Sequence, residues 1–175
     1  GSEMCIRDSY EAHAVEMGHD PSKEPPFFFQ KNPDNLIVGA DFPYPPETSD
    51  VHHEIEMVAV LSKGGKNIAV ADALGHVWGY GVGLDMTRRD LQGEAKKLGR
   101  PWEVGKAFEH SAPCTDIVPA SQIGHPDHGA IWLKVNGDVK QKGDLNQMIW
   151  KTAEQVAILS RYFELQPGDV IFTGT

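Results

Sequence analysis

A chain of 175 residues with 40% hydrophobic and 23% charged residues has the composition of one globular domain, which excludes a disordered tail and a fibre. It carries 16 basic against 25 acidic residues, a formal net charge of −9. That field repels nucleic acid and no basic run offsets it, so no nucleic-acid partner is expected. No stretch of about 18 consecutive apolar residues is present, so no membrane partner is expected either. Cys5 and Cys114 form neither a zinc-ligand spacing nor a disulfide framework, which fits a reducing compartment and a cytoplasmic location.

Residues 1–9, GSEMCIRDS, have no periodicity, and Gly1-Ser2 resembles a cloning scar. They are set aside as a non-native or disordered leader, leaving 10–175 as a single domain. Residues 9–17 read as a short helical turn behind a potential N-cap at Ser9. Residues 20–50 are dense in Pro, Asp and Asn and read as loop with one extended piece at 36–38. The alternation of EIEMVAVL predicts a strand over 54–61. A helix is predicted over 88–98, closed by Gly99 and Pro101. Asn136-Gly137 is a favoured two-residue turn, so 131–142 reads as a hairpin. Ile149, Thr152, Val156, Leu159 and Phe163 fall on one helical face and predict a helix over 146–163. Gln166-Pro167-Gly168-Asp169 then turns the chain into a last strand at 169–172. Thr173-Gly174-Thr175 opens a turn on which the sequence ends, so the domain is expected to be incomplete at its C-terminal end. Many strands with few helices give a β-rich α+β fold.

The chemistry concentrates in His52-His53-Glu54-Ile55-Glu56. Residues two apart on a strand share a face, so Glu54 and Glu56 stand side by side with Cα atoms roughly 7 Å apart. Two like charges in a half-buried place call for a cation or a shared proton; a solvated strand end explains them equally well. Residues 79–85, GYGVGLD, place three glycines before Asp85, which reads as a carboxylate projecting from a constrained turn. Together the carboxylates suit a hard divalent ion, magnesium or manganese rather than zinc, since no His or Cys lies at ligand spacing. Asp85 reads equally as an N-cap for the following helix.

HHEIEM, GYGVGLDMTRRDLQ, Gly105-Lys106-Ala107-Phe108, VNGDVKQKG and the terminal FTGT, in that order, resemble the fumarylacetoacetate hydrolase family over about residues 10–175. Within it they are most similar to the acylpyruvase and fumarylpyruvate hydrolase members. The resemblance implies a mixed β-roll, a homodimer and a divalent metal, usually Mg2+, with Mn2+ or Ca2+ as alternatives. Glu54, Glu56 and Asp85 match the family's metal ligands, and Lys106 its active-site lysine. Arg89 and Gln92 match residues near the substrate. YEAHAVEMG is similar to the segment bearing a catalytic dyad, here His13 and Glu16. Thr173, Gly174 and Thr175 match the start of the loop that receives the substrate carboxylate.

The implied activity is hydrolysis of the C–C bond of a 2,4-diketo acid, an acylpyruvate, with fumarylpyruvate giving fumarate and pyruvate in aromatic catabolism. His13 would take a proton from water with Glu16 orienting the ring, Lys106 would meet the oxyanion, and Arg89 would pair with a substrate carboxylate. Segment 24–46 resembles the fumarylpyruvate subgroup. The same site suits oxaloacetate decarboxylation or 2-hydroxydienedioate isomerisation, and a non-catalytic metal-binding protein on this fold is a further alternative. Plainer readings stand beside these. Lys106 reads also as a solvated lysine, and one of Arg88 and Arg89 as surface charge. His52 and His53 read as structural, Cys114 as a small buried hydrophobe, and Lys31 as a residue that helps shape the pocket.

Overall fold

The computed structural model describes residues 3–6, 10 and 25–175. His13 and Glu16 lie outside the described residues, as does the helical turn expected over 9–17 apart from Tyr10. The strands in chain order are β1 (Glu3–Ile6), β2 (Phe28–Lys31), β3 (Leu36–Val38), β4 (Val51–His52), β5 (Ile55–Leu61) and β6 (Val77–Leu84). They continue with β7 (Thr87–Arg88), β8 (Ala112–Cys114), β9 (Val118–Pro119), β10 (Ala130–Val135), β11 (Asp138–Asp144) and β12 (Val170–Phe172). One eight-stranded sheet runs β2-β1-β12-β5-β6-β8-β3, with β9 added beside β6. β1 is parallel to β12 and β3 to β8, while the β12-β5-β6 centre is antiparallel. The result is a mixed, β-rich α+β roll, as the resemblance implied.

Central β5 is apolar on both faces because it is covered on both. Met57, Ala59 and Leu61 pack with Ile171, Tyr80, Val156 and Leu159, the last two from the helix Thr152–Tyr162. Val58 faces the other way, into a cluster with Ala112, Cys114 and Phe172. Cys114 is buried there as a small apolar group, as the sequence suggested.

Glu3–Ile6, set aside with the leader, form β1, which is hydrogen-bonded between β12 and β2 inside the main sheet. Other readings need correction. The Pro-rich stretch hides a second strand: β2 satisfies its backbone by pairing with β1. The long helix starts late, at Thr152. Asp144 caps a separate short turn at Leu145–Gln147 by accepting from the Asn146 amide at 2.9 Å, and the Lys151 amide bonding to Glu154 at 2.8 Å opens the helix proper. Ile149 and Phe163 therefore flank it instead of lying on it.

The glycines of GYGVGLD sit within β6 itself and not in a turn. They are needed for space. A Cβ on Gly83 would lie 2.5 Å from Phe172 Cε1, and one on Gly79 would lie 2.4 Å from the Val118 carbonyl oxygen. Elsewhere the turn chemistry is as read. Gly99 closes the helix Arg89–Leu98 with φ of 62°, and Asn136 and Gly137 both take positive φ between β10 and β11. Among the described residues no helix is long and apolar enough to cross a membrane.

Candidate active site

Antiparallel pairing builds the site. Ile55 is opposite Leu84 at the end of the β5–β6 ladder, so Glu54 and Asp85 flank that last pair, and the Asp85 amide donates to the Glu54 carbonyl at 2.9 Å. Glu56, two residues along from Glu54, faces Gly83. The three carboxylates offer oxygens that all lie within 4.8 Å of one another. They are 6%, 1% and 1% exposed for Glu54, Glu56 and Asp85, which removes the solvated-strand reading. Asp85 does not cap the helix either: that place belongs to Arg88.

Buried cations answer part of this charge. Lys106, from the single turn Glu103–Lys106, sets its Nζ 2.6 Å from Asp85 Oδ2 and 3.0 Å from Glu54 Oε2, and donates to Thr87 Oγ1 at 2.7 Å. Burial works against its positive charge, but Asp85 and Glu54 outweigh it and raise its pKa. At 1% exposure it is no solvated lysine. Lys31 is a stronger participant than the sequence indicated. Its Nζ lies 2.9 Å from Asp85 Oδ1, and it also donates to the carbonyls of Met86 and Lys106.

Arg89 places Nη2 2.5 Å from Glu54 Oε1 and donates from Nη1 to Gln92 Oε1 at 2.8 Å. Gln92 is buried, and its Nε2 has no partner among the described residues. Arg88 is not surface charge: its guanidinium lies 4.4 Å from the centre of the Phe108 ring and donates to the Val104 carbonyl at 3.1 Å.

Glu56 is different. None of the ion pairs among the described residues involves it. Its Oε2 accepts from the Gly174 amide at 2.8 Å. Burial, and then the charges of Asp85 and Glu54, push its pKa well above the usual carboxylate value. A buried, oxygen-only donor set, with one carboxylate in no ion pair among the described residues, is what a hard divalent ion fits.

The Thr173–Thr175 segment lines the same site. The Thr173 hydroxyl donates to the Met57 carbonyl at 2.8 Å and the Thr175 hydroxyl to the Ile55 carbonyl at 3.0 Å, so the turn is fastened along the strand that carries Glu56. His53 meets the Gln141 side chain with Nδ1 at 3.2 Å, whereas His52 pairs with Asp50 at 3.0 Å in solvent; neither faces the carboxylates with a bond among the described residues. Sequence reasoning missed Thr87 and Gln141. Thr87 follows Asp85 by two residues, which is a usable signal; Gln141 comes from a distant hairpin, within VNGDVKQKG, where the resemblance marks the segment but not the residue.

Residues 3–175 match the family model described as fumarylacetoacetate (FAA) hydrolase, C-terminal. A fumarylpyruvate hydrolase of a Ralstonia species is 45% identical over 157 residues, covering 89% of this chain and 81% of that protein. The crystal structure of fumarylpyruvate hydrolase from Pseudomonas aeruginosa, in complex with Mn2+ and pyruvate, superposes with a TM-score of 0.97 at 53% identity, covering all of this chain and 77% of the other. A mitochondrial oxaloacetate tautomerase of Oryza sativa subsp. japonica is 37% identical, covering 95% of this chain and 75% of that protein.

Proposed function

The chain belongs to the fumarylacetoacetate hydrolase family, and we propose that it hydrolyses a C–C bond of 2,4-diketo acids, with fumarylpyruvate as substrate and fumarate and pyruvate as products. The observation that carries this reading is the buried Glu54–Glu56–Asp85 cluster with the Lys106 ammonium against it, in a chain 45% identical to a fumarylpyruvate hydrolase. Those carboxylates would hold a divalent ion, Mg2+ by the resemblance; the Pseudomonas relative's complex contains Mn2+. Such an ion, when bound, polarises the 2-oxo group as a Lewis acid.

The chain's own residues supply the rest. His13, oriented by Glu16, takes a proton from water, and the hydroxide adds to the C4 carbonyl. The Lys106 ammonium supplies positive charge near the oxygen that gains charge. The C3–C4 bond then breaks, releasing fumarate, and the electron pair passes to C3 and its neighbouring 2-oxo group. A proton returned to C3 gives pyruvate. The Thr173–Thr175 turn receives the C1 carboxylate. Arg89 and Gln92 Nε2, which has no partner among the described residues, meet the acyl end, which bears the second negative charge. By the resemblance alone, the working unit is a cytoplasmic homodimer in aromatic catabolism.

A coupled assay tests the reading. Purified protein with Mg2+ should release equal amounts of pyruvate and fumarate from fumarylpyruvate. His13→Ala should lose about 10²–10⁴-fold in turnover while still binding metal. The oxaloacetate-acting relative favours a second reading on the same site, and turnover of oxaloacetate without fumarylpyruvate would replace the first.

A further inference from the structure

The β10–β11 hairpin shares no backbone ladder with the main sheet among the described residues, yet one of its side chains reaches the candidate site. Gln141 Oε1 accepts from the Ile55 amide at 2.9 Å, and His53 Nδ1 lies 3.2 Å from the same oxygen. Gln141 Nε2 donates to Thr175 Oγ1 at 3.2 Å. The orientation of the carboxamide is fixed by chemistry, because an amide N–H can only donate and so must face the oxygen. Ile55 is the residue between Glu54 and Glu56, and Thr175 ends the turn whose Gly174 amide holds Glu56. One carboxamide thus bridges the strand entry and the turn. The Thr175 hydroxyl, donating to the Ile55 carbonyl while accepting from Gln141, is held at both ends.

The hairpin is shaped to deliver this group. Its register shifts between Leu133 and Lys134, so Leu133 pairs with Gln141 while Lys134 pairs with Val139, leaving Lys140 as the extra residue. A bulge re-aims the side chains beside it. Val139 is exposed, whereas Gln141 turns inward to half-burial.

We propose that Gln141 is a positioning residue: by holding Thr175 against the Ile55 peptide it sets the Thr173–Thr175 turn for the carboxylate of a 2-oxo acid. This rests on the functional reading above, and pyruvate is the probe. Gln141→Leu removes both bonding groups at similar bulk. Gln141→Glu keeps the acceptor for Ile55 and loses the donor to Thr175. With Mn2+ loaded, pyruvate should bind roughly tenfold more weakly to both variants, the loss of about one well-made hydrogen bond. Mn2+ affinity should change by less than threefold or so, because its three carboxylate ligands are untouched. In the double variant with Thr175→Val, the loss should equal that of Thr175→Val alone, since Gln141 acts through Thr175.

Amide hydrogen exchange on the metal-free protein gives a separate readout. Ile55 should exchange at least about tenfold faster in Gln141→Leu and stay protected in Gln141→Glu. Unchanged pyruvate affinity in Gln141→Leu, losses that multiply in the double variant, or a parallel fall in Mn2+ affinity overturns the proposal. If the unaltered protein binds no pyruvate with Mn2+, the functional reading fails instead. Exchange then decides this inference: faster Ile55 exchange in Gln141→Leu sustains the positioning role, and unchanged exchange removes it.

Discussion

Glu56 and Lys106 face the same cluster with opposite energetic signs. Glu56 is an acid whose burial and like-charged neighbours disfavour its ionised form, and no ion pair among the described residues relieves it. Lys106 is a cation that two buried carboxylates depend on. Removing one partner of a buried charge pair costs about 3–5 kcal/mol, because the remaining charge has no compensation. Lys106→Met should therefore destabilise the metal-free protein by about that much. Glu56→Gln keeps the shape, removes a charge that burial and the neighbouring carboxylates disfavour, and should leave the metal-free protein as stable or more so. Urea denaturation with chelator present checks both, and a large destabilisation by Glu56→Gln would show that its ionised form is already well served. The two residues also differ in how readable they were. Glu54 and Glu56 could be paired from spacing alone, because strand geometry fixes which residues share a face. The burial of Lys106 and Lys31 depends on which segments cover them, and a lysine in sequence looks the same whether it is solvated or holds Asp85.

Among the elements, β6 shows how a motif can be noticed for the wrong reason. Its alternating glycines suggested an unusual backbone, but they serve close approach: the Gly83 position is filled by the Phe172 ring and a Val58 methyl. Gly83→Ala should overpack this contact and cost about 1–3 kcal/mol, and because Glu56 lies opposite Gly83 it should weaken metal binding as well. Thermal unfolding with and without Mn2+ measures both effects; a variant of unchanged stability would show that Phe172 can move aside. The elements that were read well are those with local signals, such as the Asn136-Gly137 turn, the Gly99 helix stop and the 54–61 alternation. β1 and β2 were missed because their backbones pair with residues far along the chain, β1 with β12 across nearly the whole sequence.

For the whole molecule, the sheet order puts sequence-distant pieces at one place. β5 and the residue before it bring Glu56 and Glu54, the residue after β6 is Asp85, β2 brings Lys31, and β12 runs straight into the Thr173–Thr175 turn. The −9 net charge would repel the dianionic keto acid proposed as substrate; at the cluster Arg89, Lys31 and Lys106 balance the three carboxylates, so the site itself does not add to that repulsion. Everything proposed for the reaction depends on those carboxylates holding one hard cation. Calorimetric titration of the folded, metal-stripped protein with Mn2+ tests that most directly. It should show one ion bound per chain, with binding lost in Glu54→Gln and in Asp85→Asn. A folded protein that takes up no Mn2+, or variants that bind it as well as the original, would contradict the account.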